Sequence, residues 1–151
     1  KFETIVRLDK NDQWLHNQYI KKRIKCRNII IDNGKLNFRK TIKNSSINLV
    51  DYLGSTYLES LFLNKPTIIY CNKKFFVIRK DKKKYFDQLK KMSIFFDDLK
   101  KLGIFLKRMS SEEKIQSWWD NKKLQSTIKT FNKKFQYSSK NWDIEMIKKF
   151  S

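Results

Sequence analysis

At 151 residues the sequence has the length of one ordinary domain, which can bury about 68–70% of the surface of its unfolded chain. Its hydrophobic content of 40% and aromatic content of 15% supply a core and exclude a wholly disordered chain. No apolar run approaches the ~18 residues of a membrane span, and the first residues, KFETIVRLDK, lack the apolar segment of a signal peptide.

The net charge of +20 raises the question of an anionic partner, because clustered lysine and arginine bind phosphate backbones. The basic residues are mostly lysines spread along the whole chain, and the sequence has no alanine and only 3 glycines. Lysine, asparagine, isoleucine and phenylalanine have AT-rich codons, whereas alanine, glycine and proline have GC-rich ones. The codon usage of an AT-rich genome therefore explains the lysines, and a solvated surface is favoured over one that binds nucleic acid or an anionic membrane.

Cysteine and histidine limit the metal chemistry of the chain. Cys26 and Cys71 lie in unrelated contexts, without a histidine or second cysteine at metal-binding spacing. They are predicted to be reduced, buried thiols of a cytoplasmic protein. His16 is the single histidine, so a multi-histidine metal site is excluded.

The first part of the chain predicts strands that alternate with helices. The predicted elements are strands over Glu3–Leu8, Asn28–Asp32 and Ile47–Val50, and helices over about Asn11–Lys25 and Asn37–Lys43. This alternation is typical of a parallel sheet with crossover helices, a Rossmann-like α/β fold. The first strand begins almost at residue 1, so we expect the sequence to start inside a longer protein.

The second part becomes progressively helical. The predicted elements are strands over Thr67–Tyr70 and Ser93–Phe96, and helices that begin near Lys82, Asp97, Ser110, Asp120 and Trp142. One predicted helix carries a single apolar stripe, Leu124, Ile128, Phe131 and Phe135. Phe75-Phe76 lie in a segment that is either strand or loop, and core packing is favoured for them. A boundary near Lys107–Ser110 divides an α/β part, residues 1–109, from a helical tail, residues 110–151.

Several polar residues of this part are assigned to helix caps. Ser110 and Glu113 form an S-x-x-E capping box, and Asp120 is expected to cap the next helix. The pair Asp97-Asp98 precedes a predicted helix, so it is expected to cap that helix rather than to hold a metal ion.

The tryptophans of the tail are adjacent in sequence. Trp118 and Trp119 cannot share one face of a helix. One is therefore expected to fill the space between the sheet and the tail, and the other to cover a neighbouring element.

The segment INLVDYLGSTYLESLFLNKPTIIY has the chemistry of a phosphate and sugar site in its first turn. Asp51 ends the strand, and Gly54 lets a ligand approach the backbone closely. Ser55 and Thr56 offer hydroxyl and N–H groups at the helix start, and Glu59 can accept hydrogen bonds from a sugar diol. A T-x-x-E capping box from Thr56 to Glu59 explains the same residues without a ligand. The residues alone leave both interpretations open.

The segment NLVDYLGSTYLESLFLNKPTIIY resembles the nucleotide-sugar half-site of GT-B glycosyltransferases, whose C-terminal domain carries a D…ST..E.l..n.PTi signature. The segments VRLDKNDQW, KKYFDQLKKMSIFFDD and QSWWDNKKLQSTIKTFNKKF are similar to parts of one bacterial group of surface-carbohydrate biosynthesis transferases. The resemblance covers nearly the whole chain. It implies the C-terminal half of a GT-B fold, a domain that binds the donor and depends on its own N-terminal domain for turnover.

The resemblance also assigns residues to the donor. The assigned residues are Arg7, Asp51, Gly54, Ser55, Thr56 and Glu59. The turn from Gly54 to Thr56 is expected to contact the nucleotide diphosphate, and Glu59 the ribose. Arg7 is either a phosphate contact in the same crevice or a surface arginine. No catalytic residue is assigned, since the acceptor site and the base of GT-B enzymes belong to the N-terminal domain.

The function that the resemblance implies is a metal-independent glycosyltransferase of bacterial surface polysaccharide biosynthesis. Its substrates are a nucleotide-sugar and a glycan or lipid-linked acceptor, it needs no bound cofactor, and it is cytoplasmic, with peripheral contact to an anionic membrane left open. Two alternatives remain at this point. A GT-B-fold sugar-nucleotide epimerase would use the same donor site, and a basic nucleic-acid-binding module would use the lysine surface instead.

Overall fold

The computed structural model of the chain describes residues 2–7, 18, 22–23, 28–32 and 34–135. The chain forms two compact units, Lys1–Ser45 and Ser46–Ser151. The boundary expected near Lys107–Ser110 lies inside the second unit, where the rings of Phe105 and Trp118 are 5.1 Å apart between centroids. The division of the chain into residues 1–109 and 110–151 stays a prediction.

The first unit contains a pair of parallel strands and a helix. Its described elements are β1 (Thr4–Arg7), β2 (Ile29–Asp32) and α1 (Phe38–Asn44). The Asn37 side chain caps α1 by accepting the Lys40 N–H at 3.0 Å. Gly34 follows β2 with a φ of 76°, a left-handed conformation that favours glycine. The helix predicted over 11–25 lies mostly outside the described residues, of which 18 and 22–23 are helical.

The second unit is built on a three-stranded parallel sheet in the order β3-β4-β5. Its strands are β3 (Asn48–Val50), β4 (Thr67–Tyr70) and β5 (Phe95–Phe96). Its described helices are α2 (Ser55–Phe62), α3 (Lys80–Lys91), α4 (Leu99–Arg108), α5 (Glu112–Trp119) and α6 (Lys122–Phe135). Helices α2 and α3 connect the parallel strands, which confirms the predicted α/β class with crossover helices.

The helix predicted to begin near Trp142 lies outside the residues that the structure describes. Within the described part of the chain, no helix is long and apolar enough to cross a lipid bilayer.

Helices cover both faces of the sheet, since successive side chains of a strand point to opposite sides. On one face Val50, Ile69 and Phe95 are buried against α2, α3 and α6. On the other face Ile68 and Phe96 pack against α4. The predicted apolar stripe of α6 is confirmed and belongs to the first of these clusters, through Leu124, Ile128, Phe131 and Phe135.

Helices α2 and α3 both end in a Schellman motif immediately before a strand. After α2, the N–H groups of Asn64 and Lys65 donate to the carbonyl oxygens of Leu61 and Ser60 at 3.1 and 3.0 Å. The same two bonds follow α3. The motif needs one left-handed residue, usually glycine. This glycine-poor chain uses Asn64 with a φ of 49° and Ser93 with a φ of 57° instead.

The adjacent tryptophans complete these two helix ends. Trp119 is buried, and its Nε1 donates to the Asn64 carbonyl oxygen at 3.1 Å. Trp118 is half-buried, and its Nε1 donates to the Met92 carbonyl oxygen at 3.0 Å. Carbonyl groups at the end of a helix have no partner inside it. Because Trp118 and Trp119 point in different directions, one short helix reaches the ends of both α2 and α3.

The predicted helix caps are partly wrong. Ser111 caps α5 in place of Ser110, and Asn121 caps α6 in place of Asp120. Asp120 instead ends α5, where its own N–H donates to a helix carbonyl. The prediction for Asp98 is confirmed, because its Oδ1 accepts two backbone N–H groups of α4 at 2.8 and 3.1 Å.

Replacing Trp119 with phenylalanine is expected to lower the free energy of unfolding by about 2–3 kcal/mol. The substitution removes the partner of the Asn64 carbonyl and leaves unfilled volume in the core. Urea denaturation measures the loss. The matched variant Trp118→Phe removes a half-buried bond, and we expect a loss of about 1 kcal/mol. A loss at Trp118 equal to or larger than that at Trp119 would contradict this assignment.

Replacing Ser93 with glycine is expected to stabilise the protein by about 0.5–1 kcal/mol. The left-handed conformation costs an L-residue roughly 1–2 kcal/mol, and the greater freedom of glycine in the unfolded chain offsets part of the gain. The comparison is Ser117→Gly inside α5, which we expect to lose about 0.5 kcal/mol. Urea denaturation gives the free energy of unfolding of both variants. A loss of stability in both would show that the backbone of Ser93 is not strained.

Candidate functional site

The carboxyl ends of β3 and β4 bring two polar residues together. Asp51 directly follows β3 and is exposed, and Cys71 directly follows β4 and is buried. Burial, and secondly the negative charge of Asp51, raise the pKa of the Cys71 thiol to about 11. Parallel α/β sheets bind ligands outside the carboxyl ends of their strands. The turn that begins at Asp51 therefore lies at the edge where a ligand is expected.

Helix α2 begins in this turn with an unusual cap. Its N-cap is Gly54, in an extended conformation with φ −96° and ψ −160°. Glycine has no side chain to accept the N–H groups of the first turn, which also lack partners inside the helix. Thr56 lies within the helix rather than at the cap. The capping box from Thr56 to Glu59 is therefore not formed, and that explanation of the sequence pattern is wrong.

Tyr52 is a residue of this turn that the sequence analysis missed. A methyl group in place of a hydrogen on Gly54 would overlap the Tyr52 ring. The φ of Gly54 is negative, so the close approach of the Tyr52 ring, and not the backbone conformation, is what a larger residue would disturb here. The Tyr52 ring is 49% exposed and borders the helix start. An exposed aromatic residue two positions before a glycine is the signal that could have identified it.

The outer side of α2 presents Ser55 and Glu59. The buried side of the helix consists of Tyr57, Ser60 and Leu61. Ser55 is exposed and Thr56 and Glu59 are half-buried. Residues four apart lie above one another on a helix, so the Ser55 hydroxyl and the Glu59 carboxylate share a surface beside the helix start. The structure thus groups five of the six predicted donor residues at one end of α2.

Arg7, the sixth predicted residue, lies in the first unit at the end of β1. Its Nη1 is 3.2 Å from Oδ2 of the buried Asp32 and donates to the Leu36 carbonyl oxygen at 3.0 Å. The guanidinium also lies over the Phe38 ring, 5.2 Å from its centroid. These contacts hold the Arg7 cation within its own unit. A phosphate contact by Arg7 stays a prediction.

The loop after β4 exposes aromatic residues at the same edge of the sheet. The prediction that Phe75 and Phe76 pack in the core is wrong, because their side chains are 78% and 38% exposed. Asn72 forms a tight turn in which its Oδ1 accepts the Lys74 N–H at 3.0 Å and its carbonyl oxygen accepts the Phe75 N–H at 2.9 Å. This turn directs the apolar run outward before α3 begins.

Two grooves of the described part lie elsewhere on the second unit. A groove of about 350 Å³ lies between the end of α2 and α6. A groove of about 920 Å³ lies where α3 and α4 end and where α5 and α6 begin. Neither is lined by the predicted donor residues, which stand on an open edge instead.

Comparison with known proteins assigns the chain to a family. A family model described as LIC12162 family transferase matches residues 3–150. The chain belongs to this family. No curated protein and no solved structure is similar enough to match the chain. The family description supports an enzyme of the transferase type, as the sequence resemblance implied.

Asp97 directly follows β5 and is another acidic residue at the carboxyl edge of the sheet. Asp97 lies 2.7 Å from Lys90 Nζ, and the hydrogen bond from Lys90 lowers the pKa of the Asp97 carboxyl. Asp97 is therefore held as a paired carboxylate. Across the described residues, no three side chains of the metal-binding types come together.

Cys71 gives the transferase a pH dependence that reports on the site. Its thiol pKa rises from 9.0 to about 11 on folding, so the thiol stabilises the folded state fully below pH 9. This contribution is lost as the pH rises toward about 11. We expect the free energy of unfolding to fall over that range, and to fall less in Cys71→Ala, as measured by urea denaturation at a series of pH values.

Two further variants separate the causes of this fall. Burial raises the pKa of Tyr57, so Cys71→Ala keeps a residual fall that Tyr57→Phe reduces. Asp51→Asn removes the negative charge beside the thiol and is expected to make the fall smaller. A fall in Cys71→Ala as large as in the unmodified protein would contradict the burial of this thiol beside Asp51.

Proposed function

We propose that this transferase is the donor-binding domain of a metal-independent glycosyltransferase in bacterial surface polysaccharide biosynthesis. In this proposal the chain is the C-terminal half of a cytoplasmic GT-B enzyme, and its donor is a nucleotide-sugar. The acceptor is a glycan or a lipid-linked glycan. The observation that carries the proposal is the start of α2, which opens at the carboxyl edge of the sheet with a glycine as its cap.

The start of α2 suits the diphosphate of the donor. Its first N–H groups have no partners within the helix, and Gly54 places no side chain in front of them. An anion at a helix start gains about 0.3–1 kcal/mol from the helix dipole, in addition to hydrogen bonds from the N–H groups. The exposed hydroxyl of Ser55 adds a further donor at the same place.

The two carboxylates of the site suit hydroxyl groups rather than phosphate. Asp51 and Glu59 repel a phosphate at close range, but each can accept hydrogen bonds from the hydroxyl groups of a ribose or a sugar. They stand before and after the helix start in sequence, so the diphosphate takes the position between them. The Tyr52 ring borders the same turn and offers an apolar surface to the ring of a sugar or base.

This arrangement would accelerate the transfer by stabilising the leaving group, the nucleoside diphosphate. When the bond between the sugar and the diphosphate oxygen breaks, negative charge grows on the nucleoside diphosphate. Fixed N–H groups at a helix start bind that growing charge more tightly in the transition state than in the bound substrate. The acceptor hydroxyl attacks the sugar carbon, and its proton goes to a base outside the assigned residues. The family description, a transferase, favours this reaction over epimerisation.

Nucleoside diphosphate binding tests the proposal. We expect the chain to bind a nucleoside diphosphate in isothermal titration calorimetry. The double variant Ser55→Ala plus Glu59→Ala is expected to bind at least about tenfold more weakly, since it loses one neutral and one charged hydrogen bond. The affinity of the unmodified chain and of the variant for the same nucleotide gives the ratio.

The matched control is Glu113→Ala plus Ser117→Ala, which removes an exposed pair of the same residue types at the same helical spacing from α5. We expect its affinity to equal that of the unmodified chain. Equal affinity in the Ser55 and Glu59 variant would refute the donor site. Salt-sensitive binding of duplex DNA or RNA, without affinity for nucleoside diphosphates, would favour the nucleic-acid-binding alternative.

A further inference from the structure

Helix α4 carries a basic surface that the donor site does not use. Residues 100, 101, 104, 107 and 108 recur at helical spacing, so they lie on one side of the helix, and all are exposed. This α4 basic face consists of Lys100, Lys101, Ile104, Lys107 and Arg108. The opposite side of the helix is anchored by the buried Leu102 and by Phe105, whose ring lies 5.4 Å from that of Phe96.

The helix dipole favours only two of the four cations of α4. Lys107 and Arg108 lie in the last turn, where the helix dipole favours positive charge. Lys100 and Lys101 lie in the first turn, where the dipole disfavours it. None of the four forms a salt bridge within the part of the chain that the structure describes. The Asp98 carboxylate at the helix start attracts Lys101, so the fold offsets only part of the cost of the first-turn lysines.

The apolar residues of α4 distinguish among anionic partners. Ile104 is 56% exposed in the middle of the four cations. The phosphate groups of a nucleic acid backbone attract cations but offer an exposed isoleucine no apolar surroundings. A bilayer surface with anionic lipids accepts both kinds of residue, since the cations meet phosphate groups and the apolar side chains enter the boundary of the acyl chains.

The basic surface continues from α4 into a neighbouring groove. Arg108 also lines the groove of about 920 Å³, together with Lys91, Lys114 and Lys123. Glu113 is the carboxylate of that lining. Positive charge thus extends beyond the single helix, as the attraction of a charged lipid surface requires.

We propose that the α4 basic face docks this transferase on anionic lipid headgroups. The four cations contact the phosphate groups, and Ile104, in the middle of the face, inserts at the edge of the acyl region. The proposal does not rest on the donor site, because α4 and α2 pack against opposite faces of the sheet.

Sedimentation with vesicles tests this docking. The full chain is mixed with vesicles of phosphatidylcholine alone, or of phosphatidylcholine with an equal share of phosphatidylglycerol. We expect binding to the anionic vesicles only, weakened by salt. Lys100→Glu plus Lys107→Glu is expected to lower partitioning at least about tenfold, because two attractions become repulsions. Ile104→Ser is expected to lower it several-fold and to leave the dependence on salt unchanged.

The matched control is Lys122→Glu plus Lys129→Glu, which reverses two exposed lysines at the same spacing on α6. We expect this variant to retain most of its binding, since it changes the net charge equally but leaves α4 intact. Equal losses in the two charge variants would show that net charge and not α4 determines binding, and would overturn the proposal. Absence of anionic vesicle binding, or binding only to duplex RNA or to an acidic protein, would overturn it as well.

Discussion

The closure of the carboxyl ends of α2 and α3 is the constraint on which the second unit depends. Each helix stops immediately before a core strand, so its end must be closed where the sheet begins. The left-handed residues Asn64 and Ser93 close the backbone, and the indoles of Trp119 and Trp118 bond the nearby carbonyls. Asn132 of α6 adds a bond to another α2 carbonyl at 3.1 Å. The helices after β5 are therefore part of the sheet's architecture.

This constraint leaves α2 with two different ends. Its carboxyl end is closed by the Schellman motif and by Trp119, whereas its amino end has only Gly54 as a cap. The buried residues Tyr57 and Leu61 fix the helix against the core between the two ends. A helix fixed in this way presents its N–H groups in a constant position. The donor role that we propose depends on that fixed position, since a preorganised site loses no energy to reorganisation during the reaction.

Much of the fold could be predicted from the sequence, because strands and helices bury apolar residues at different periods. The wrong predictions concern positions where the residue types in the sequence are compatible with more than one local structure. Ser110 and Ser111 have the same capping group, so only the structure decides between them. The apolar run at Phe75 resembles a strand, but the Asn72 turn directs it outward. Tyr52 was missed because its contact with Gly54 depends on the shape of the turn and not on a periodic pattern.

The proposed donor site and the α4 basic face lie on different helices of the second unit, so a measurement at individual residues can tell which of them binds a ligand. Amide chemical shifts of the labelled chain, followed by NMR during titration with a nucleoside diphosphate, test the central claim most directly. We expect the largest shifts at Gly54, Ser55 and Thr56, with smaller ones at Glu59. Shifts that concentrate on the lysines of α4, with the start of α2 unchanged, would contradict that claim.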